Sequence, residues 1–318
     1  MTGDTEQIQS ALAERGYIAE RGVATAVHLA QRLERPLLIE GPAGVGKTEI
    51  AKVMAQVRSA ELIRLQCYEG LDASTALYEW NYQKQLLHIR MQEGRMQEAR
   101  SEQTTLEQQT QEIFSRDFLL ERPLLKAIQQ SSSPVLLIDE VDRADEAFEA
   151  FLLELLSDWQ VSIPELGTLR ADHAPVTVLT SNRTRELSDA LRRRCLYLWI
   201  DYPPFAKELS VIQARLPEVE RALAERVVMM VQLLRRLPLE KTPGVAESLD
   251  WTAALALLSR DELAPDALKD TVSVLLKHYE DQRRFRSAWL PALLSVVSGA
   301  DLSEDGLEAA WQQLSAQL

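Results

Sequence analysis

The octapeptide Gly41-Pro-Ala-Gly-Val-Gly-Lys-Thr48 lies between the apolar run Leu37-Leu-Ile39 and the stretch Glu49-Ile-Ala-Lys-Val-Met-Ala55. Nothing else in the chain constrains its fold as strongly. Strand, glycine-rich turn and helix in that order make a G-x-x-x-x-G-K-T phosphate loop. The glycines let the backbone turn so that successive N–H groups face phosphate oxygens, and the following helix adds its positive N-terminal end. Gly41, Pro42, Ala43, Gly44, Val45, Gly46, Lys47 and Thr48 are therefore candidate ATP-binding residues. Lys47 is expected to reach the β- and γ-phosphates, and the Thr48 hydroxyl to ligate Mg²⁺.

Four more strand-type runs accompany Pro36–Glu40 before about residue 200: Glu61–Gln66, Val135–Asp139, Val176–Thr180 and Leu196–Ile200. Three of the five lack polar alternation, as strands buried on both faces of a parallel sheet do. Helical patterns lie between them, at 47–58, at 72–130 with interruptions, and at 144–157. Such alternation means an α/β layered fold with a five-stranded parallel sheet between helices. After the double proline in Asp201-Tyr-Pro-Pro204 no strand pattern recurs. Helices are expected there at 206–214, 217–237, 249–258, 265–280, 287–298 and 303–317. The chain thus divides into an α/β domain, 1–205, and a smaller all-α domain, 206–318, with no internal repeat. Only 12 glycines and 13 prolines occur in 318 residues, below the roughly 12% of average usage, which favours long helices over many short strands.

Two excursions interrupt the α/β pattern. Residues 90–112 are strongly polar, within a helical insertion at about 81–122. They read either as a solvated helix hairpin or as a projection that contacts a partner. The segment Trp159–Leu169 alternates apolar and polar residues around Pro164 and Gly167, so a β-hairpin is expected at about 159–170.

Charge and cysteine usage exclude several classes. Lys and Arg number 35 against 48 Asp and Glu, a formal net charge of −13, which argues against a general nucleic-acid binder. The two cysteines and four scattered histidines show neither a disulfide framework nor metal-type spacing. No apolar run approaches the ~20 residues of a membrane span, and the first residues do not read as a signal peptide. A cytoplasmic location is the expectation.

Further motifs carry chemistry. Val135-Leu-Leu-Ile-Asp-Glu140 ends a buried strand in two carboxylates, at the sheet edge where ligands bind in open α/β folds. Asp139 would hold Mg²⁺, largely through water, and Glu140 would act as general base on the attacking water. Thr180-Ser-Asn182 closes the fourth strand; Asn182 either positions that water or belongs to a helix cap or turn. Arg192-Arg-Arg194 reads either as a solvated helix end or as the source of an arginine finger acting on a neighbouring subunit's nucleotide. Asp72-Ala-Ser-Thr-Ala76 reads as a helix start, and Arg283-Arg-Phe-Arg286 as a solvated basic face.

Taken in this order, these motifs and the helical C-terminal part resemble an AAA+ ATPase. The resemblance is closer to the MoxR branch, and within it to the CoxD-type proteins that accompany carbon monoxide dehydrogenase genes. Leu65-Gln-Cys-Tyr-Glu-Gly70, Tyr78-Glu-Trp-Asn-Tyr82, Ile138–Asp145, Ile163–Thr168, Leu191–Cys195 and Pro243–Trp251 carry it. It implies that Lys47 and Thr48 serve as Walker A, Asp139 and Glu140 as Walker B, and Asn182 as sensor 1. Arg194 stands where the family's finger stands, although Cys195 follows it in place of Phe; Arg193 is the alternative. The adenine would lie against Gly16-Tyr-Ile18, which adds Ile18 to the binding residues. The helices after 206 would form the lid. One departure stands out: no arginine occurs between Lys241 and Arg260, where a sensor 2 arginine is common.

The function expected is ATP hydrolysis with Mg²⁺ by a ring, expected to be a hexamer, that remodels a client or matures its metal cofactor. A von Willebrand A-domain protein and a client metalloenzyme are the expected partners. An alternative is a nucleotide-gated scaffold with slow, incidental hydrolysis, which the missing arginine favours. A DNA-associated AAA+ protein is weaker, because acidic residues outnumber basic ones after Ala206.

Overall fold

A computed structural model describes residues 2–98, 113–164, 166–258 and 264–317 of the chain. They fall into two compact units. One comprises Thr25–Glu40 and Ala51–Leu198; the other comprises Met1–Ala24, Gly41–Ile50 and Trp199–Leu318.

Nine strands occur among the described residues: β1 (Leu37–Glu40), β2 (Leu62–Gln66), β3 (Tyr78–Trp80), β4 (Leu119–Glu121), β5 (Val135–Asp139), β6 (Gln160–Ile163), β7 (Gly167–Arg170), β8 (Val176–Ser181) and β9 (Leu196–Trp199). Five of them build a parallel sheet in the order β2-β5-β8-β1-β9. Every residue of β1 and β5 is buried, whereas β2 and β9 alternate. Central strands covered on both faces need continuous apolar runs; edge strands do not. The register pairs Glu40 with Ser181 and Gln66 with Asp139, so the ends of β1, β2, β5 and β8 share one carboxyl edge. Leu38, Ile63, Leu136, Ile138 and Leu179 pack with Leu125, Phe148 and Leu152 in the core beneath it.

The expected helical tract at 72–130 is interrupted by two strands that the periodicity does not disclose. Tyr78–Trp80 pairs antiparallel with Leu119–Glu121 in a separate two-stranded sheet. The buried Trp80 ring sets this pairing, edge-to-face with Tyr78 and with Phe114, since aromatic residues favour strands where they pack across a pleat. A helix, Tyr82–Glu98, follows β3. The remainder of the polar tract, 99–112, lies outside the described residues. β6 and β7 form an antiparallel hairpin that buries Val161, Ile163 and Leu169.

In the other unit, helices Phe205–Arg215, Arg221–Arg235, Val245–Leu258, Pro265–Leu275, Tyr279–Arg284, Leu290–Gly299 and Glu304–Ser315 surround Trp251, Phe285, Leu293 and Leu233. The helix expected at 265–280 stops at Leu275, because His278 is extended and a new helix starts at Tyr279. Two N-terminal helices, Thr2–Glu14 and Arg21–Arg32, precede β1. No helix among the described residues is long and apolar enough to cross a membrane.

Candidate functional site

The phosphate loop lies in the unit that holds the C-terminal helices. Gly41 passes so close to Ile200 that a Cβ there would stand 1.9 Å from the Ile200 carbonyl oxygen; only glycine fits. Gly44 adopts φ +77°, the left-handed conformation that lets the next N–H groups converge. Lys47 opens the helix Lys47–Arg58 and is buried. Its Nζ donates to the carbonyls of Gly41 at 2.7 Å and Pro42 at 2.6 Å. An ammonium at this place in the loop is a donor suited to an anion such as a phosphate. Thr48 is half-buried in the first turn of the helix.

Tyr17 comes beside this loop, with its ring 3.8 Å from where a Cβ on Gly46 would stand. Burial, then Glu20 and Glu49, push its hydroxyl above the ordinary tyrosine range. Ile18 is half-buried next to it in the chain. The helix Val245–Leu258 also reaches the loop: the Val245 N–H donates to the Gly44 carbonyl at 2.9 Å.

At the carboxyl edge of the sheet, in the other unit, Asp139, Glu140 and Asn182 come together. Thr180 Oγ1 donates to Asp139 Oδ1 at 2.5 Å and accepts the Glu140 N–H at 3.0 Å. Arg64 Nη2 reaches Asp139 Oδ2 at 2.5 Å. Glu140 has φ 54° and ψ 49°, a conformation that costs a non-glycine residue of order 1 kcal/mol or more and tends to mark functional positions. Its carboxylate is held by Asn182 Nδ2 at 3.4 Å, Gln66 Nε2 at 3.1 Å and Arg143 Nε at 2.8 Å. Asp142, buried, accepts the N–H groups of Asn182 and Thr184 and so fixes the loop that carries Asn182. Cys67 donates its N–H to the Asp139 carbonyl. Burial, then Asp139, Asp142 and Glu140, push its thiol up to about 12.

The arginine run divides. Arg192 Nη2 lies 3.4 Å from both oxygens of Glu40, which is 1% exposed and also accepts from Tyr197 at 3.0 Å. Arg193 and Arg194 are exposed. Arg194 Nε donates to Ser157 Oγ at 2.8 Å, and the carbonyls of both residues accept from the Arg35 guanidinium. Asp72 Oδ1 accepts the Thr75 N–H and so caps the short helix Ala73–Leu77.

Sequence reasoning singled out Thr180 only within the strand end Thr180-Ser-Asn182 and did not single out Arg64, Gln66, Glu40 or Asp142. Arg64 and Gln66 carried a signal, since two polar residues alternating on one face of an edge strand point to the same side.

The AAA domain family, dynein-related subfamily, matches residues 36–195. The gas vesicle ATPase GvpN2 of Halobacterium salinarum is 24% identical over 282 residues, 85% of this chain and 77% of that protein. The denitrification regulatory protein NirQ of Stutzerimonas stutzeri is 25% identical over 220 residues, 67% of this chain and 68% of that protein. Among solved structures, the RuvB Holliday junction branch migration motor of Thermotoga maritima aligns with a TM-score of 0.45 and 16% identity, covering 97% of this chain and 87% of that one. A nucleotide-type loop, an acidic strand end and a matching profile over half the chain converge: the protein belongs to the dynein-related subfamily of AAA domains and is an AAA+ ATPase of MoxR-like type.

Proposed function

We propose that the chain hydrolyses ATP with Mg²⁺ in a ring, of six subunits by our reading, and uses the cycle to remodel a client. Residues 206–318 serve as the lid. Lys47 binds the β- and γ-phosphates, the loop N–H groups orient them, and Thr48 and Asp139 hold the metal, which neutralises phosphate charge. Glu140 takes a proton from water as the water oxygen bonds to the γ-phosphorus. The bond to the β,γ-bridging oxygen breaks, leaving ADP and phosphate. Asn182 steadies Glu140 and the water; Arg194, or Arg193, completes the site of a neighbouring subunit; Gly16-Tyr-Ile18 packs against the adenine.

The observation that carries this reading is the backbone of Glu140. A strained left-handed residue whose carboxylate is held by three side chains is pre-organised for one task. The CoxD-type resemblance supports a metalloenzyme client and a von Willebrand A-domain partner at the level of analogy. Glu140→Gln is expected to bind ATP without turning it over, and Lys47→Ala to lose tight binding. Undiminished turnover by Glu140→Gln would overturn the assignment of the base. Affinity capture on the ATP-locked Glu140→Gln form identifies the client; recovery of neither a metalloenzyme nor a von Willebrand A-domain protein would sink that part.

A further inference from the structure

The stretch after Lys241 has no arginine to connect the C-terminal helices to a bound phosphate. It has a backbone contact instead. Gly244 precedes the helix Val245–Leu258 and packs directly on Gly44: a Cβ on Gly244 would stand 2.7 Å from Gly44 Cα and 2.9 Å from its carbonyl carbon and oxygen. The Val245 N–H donates to the Gly44 carbonyl at 2.9 Å. The first N–H groups of a helix have no partner within it, and here the first of them is spent on the phosphate loop.

The consequence follows from the planar trans peptide. The carbonyl of Gly44 and the N–H of Val45 belong to one rigid plane and point in opposite directions. Holding the carbonyl on the helix therefore turns the Val45 N–H to the side of the peptide away from that helix, free for the kind of anion such loops gather. Without that anchor, Gly44 at φ +77° is free to rotate the peptide, because glycine has many conformations of similar energy.

The ledge that presents Val245 is braced from behind. Glu208 and Arg235 form a buried ion pair, with 2.6 and 2.7 Å between their paired atoms. The same guanidinium donates from Nε to the Pro243 carbonyl at 2.9 Å. Ser248 Oγ lies 2.7 Å from Glu208 Oε1 and 3.1 Å from the Gly244 carbonyl. Glu247 Oε2 accepts the Gly244 N–H at 3.0 Å, a capping arrangement at the helix start. Pro243 and Gly244 are thus held by side chains of the helices Arg221–Arg235 and Val245–Leu258, and Glu208 of a third helix braces Arg235 and Ser248.

We propose that Val245 is a positioning residue for nucleotide binding. Its backbone N–H sets the Gly44–Val45 peptide in the phosphate-binding orientation and couples the C-terminal helices to the nucleotide through main chain. Because coupling is reciprocal, a bound nucleotide in turn stabilises the start of the helix Val245–Leu258. The inference rests on the reading of Gly41–Thr48 as the nucleotide site.

Val245→Pro tests it. Proline removes the N–H, yet it is favoured at the first position of a helix, so the helix start survives. Val245→Ala keeps the N–H and removes more of the side chain. Titration of the full-length chain with fluorescent ADP should show binding about tenfold weaker in Val245→Pro, the loss of one hydrogen bond, and little changed in Val245→Ala. Thermal unfolding without nucleotide should leave Val245→Pro no less stable than Val245→Ala. Amide exchange across residues 42–48 should quicken in the proline variant alone. Equal affinities in the two variants would overturn the proposal. Should Val245→Pro fail to fold, Gly244→Ala, which drives a Cβ into Gly44, provides the same comparison of affinity against stability. Lys47→Ala separates the two levels: retained binding there removes the nucleotide-site reading, whereas lost binding beside an unaffected Val245→Pro removes only the role of Val245.

Discussion

Arg64 Nη2 lies 2.5 Å from Asp139 Oδ2, and the same nitrogen lies 2.5 Å from Gln66 Oε1, whose amide donates to Glu140. A single guanidinium on the edge strand β2 is thereby tied to both carboxylates at the end of β5. A cation already neutralises the buried Asp139 carboxylate, at the oxygen a metal ion would share. Arg64→Gln should lower the concentration of divalent ion needed for half-saturation. The shift is expected to be roughly twofold to fivefold, because the Arg64 side chain is 50% exposed and solvent screens such pairs. Paramagnetic titration with Mn²⁺ in the presence of ADP reads the midpoint directly. An unchanged midpoint would mean that arginine and metal do not compete.

Thr180 connects the same two acidic residues through its hydroxyl, which donates to Asp139 and accepts from the Glu140 backbone. Thr180→Val keeps the shape and leaves a buried N–H and a buried carboxylate oxygen each short of a partner. Stability should fall by about 1–3 kcal/mol. Turnover should fall further than the folded fraction does, because the left-handed turn at Glu140 loses its anchor. Thr180→Ser should restore both. Denaturant unfolding and steady-state turnover of the three proteins check this; wild-type turnover in Thr180→Val would count against the anchor.

The arginine run is expected to act in two ways. Arg192 faces Glu40 within its own chain, so Arg192→Ala leaves that buried carboxylate with the more distant Arg183, at 3.9 Å, and should lower the unfolding temperature. Mixing with other subunits should not rescue it. Arg194 is exposed, and its Nε donates to the hydroxyl of Ser157. Arg194→Ala should keep wild-type stability and lose turnover. Mixed with Glu140→Gln subunits it should recover part of that turnover, since each variant supplies the group the other lacks. No recovery at any ratio would count against action in trans, and the same mixture with Arg193→Ala decides between the neighbours.

What the sequence discloses and what it hides divide along physical lines. The runs that became β1 and β5 were readable because burial on both faces leaves each of them apolar up to its last residue, Glu40 or Asp139. The octapeptide 41–48 was readable because its glycines, lysine and threonine each answer a local need. β3 and β4 were not: three-residue strands about forty positions apart have no period to detect, and Trp80 declares its role only by what it packs against. The Glu40–Arg192 pair spans the whole sheet in sequence. The Gly44–Gly244 contact depends on two hydrogens where side chains would be, which no pattern of residue types reveals. Asp139 and Glu140 were legible as an acidic strand end and Thr180 as part of another strand end, while the bonds by which Arg64, Gln66 and Thr180 hold the two acidic residues became visible only through strand register.

The two cysteines give the fold an alkaline limit. Burial, and for Cys67 the charges of Asp139, Asp142 and Glu140, raise both thiols from 9.0 to about 12; at Cys195 burial is the cause, with Arg35 opposing it. The folded chain therefore keeps both protons over a range in which the unfolded chain has released them. The unfolded state binds fewer protons there, so stability falls as pH rises. The contribution is fully present below about pH 9 and is lost between about 9 and 12, by up to about 1.4 kcal/mol per pH unit for each thiol. Urea midpoints at about pH 7.5 and about pH 10 should separate more in the wild-type chain than in a Cys67→Ala/Cys195→Ala variant. Iodoacetamide should label neither thiol in the folded chain near neutral pH and both once urea unfolds it. Equal pH slopes in the two proteins would mean that both thiols ionise alike in the folded and unfolded chain.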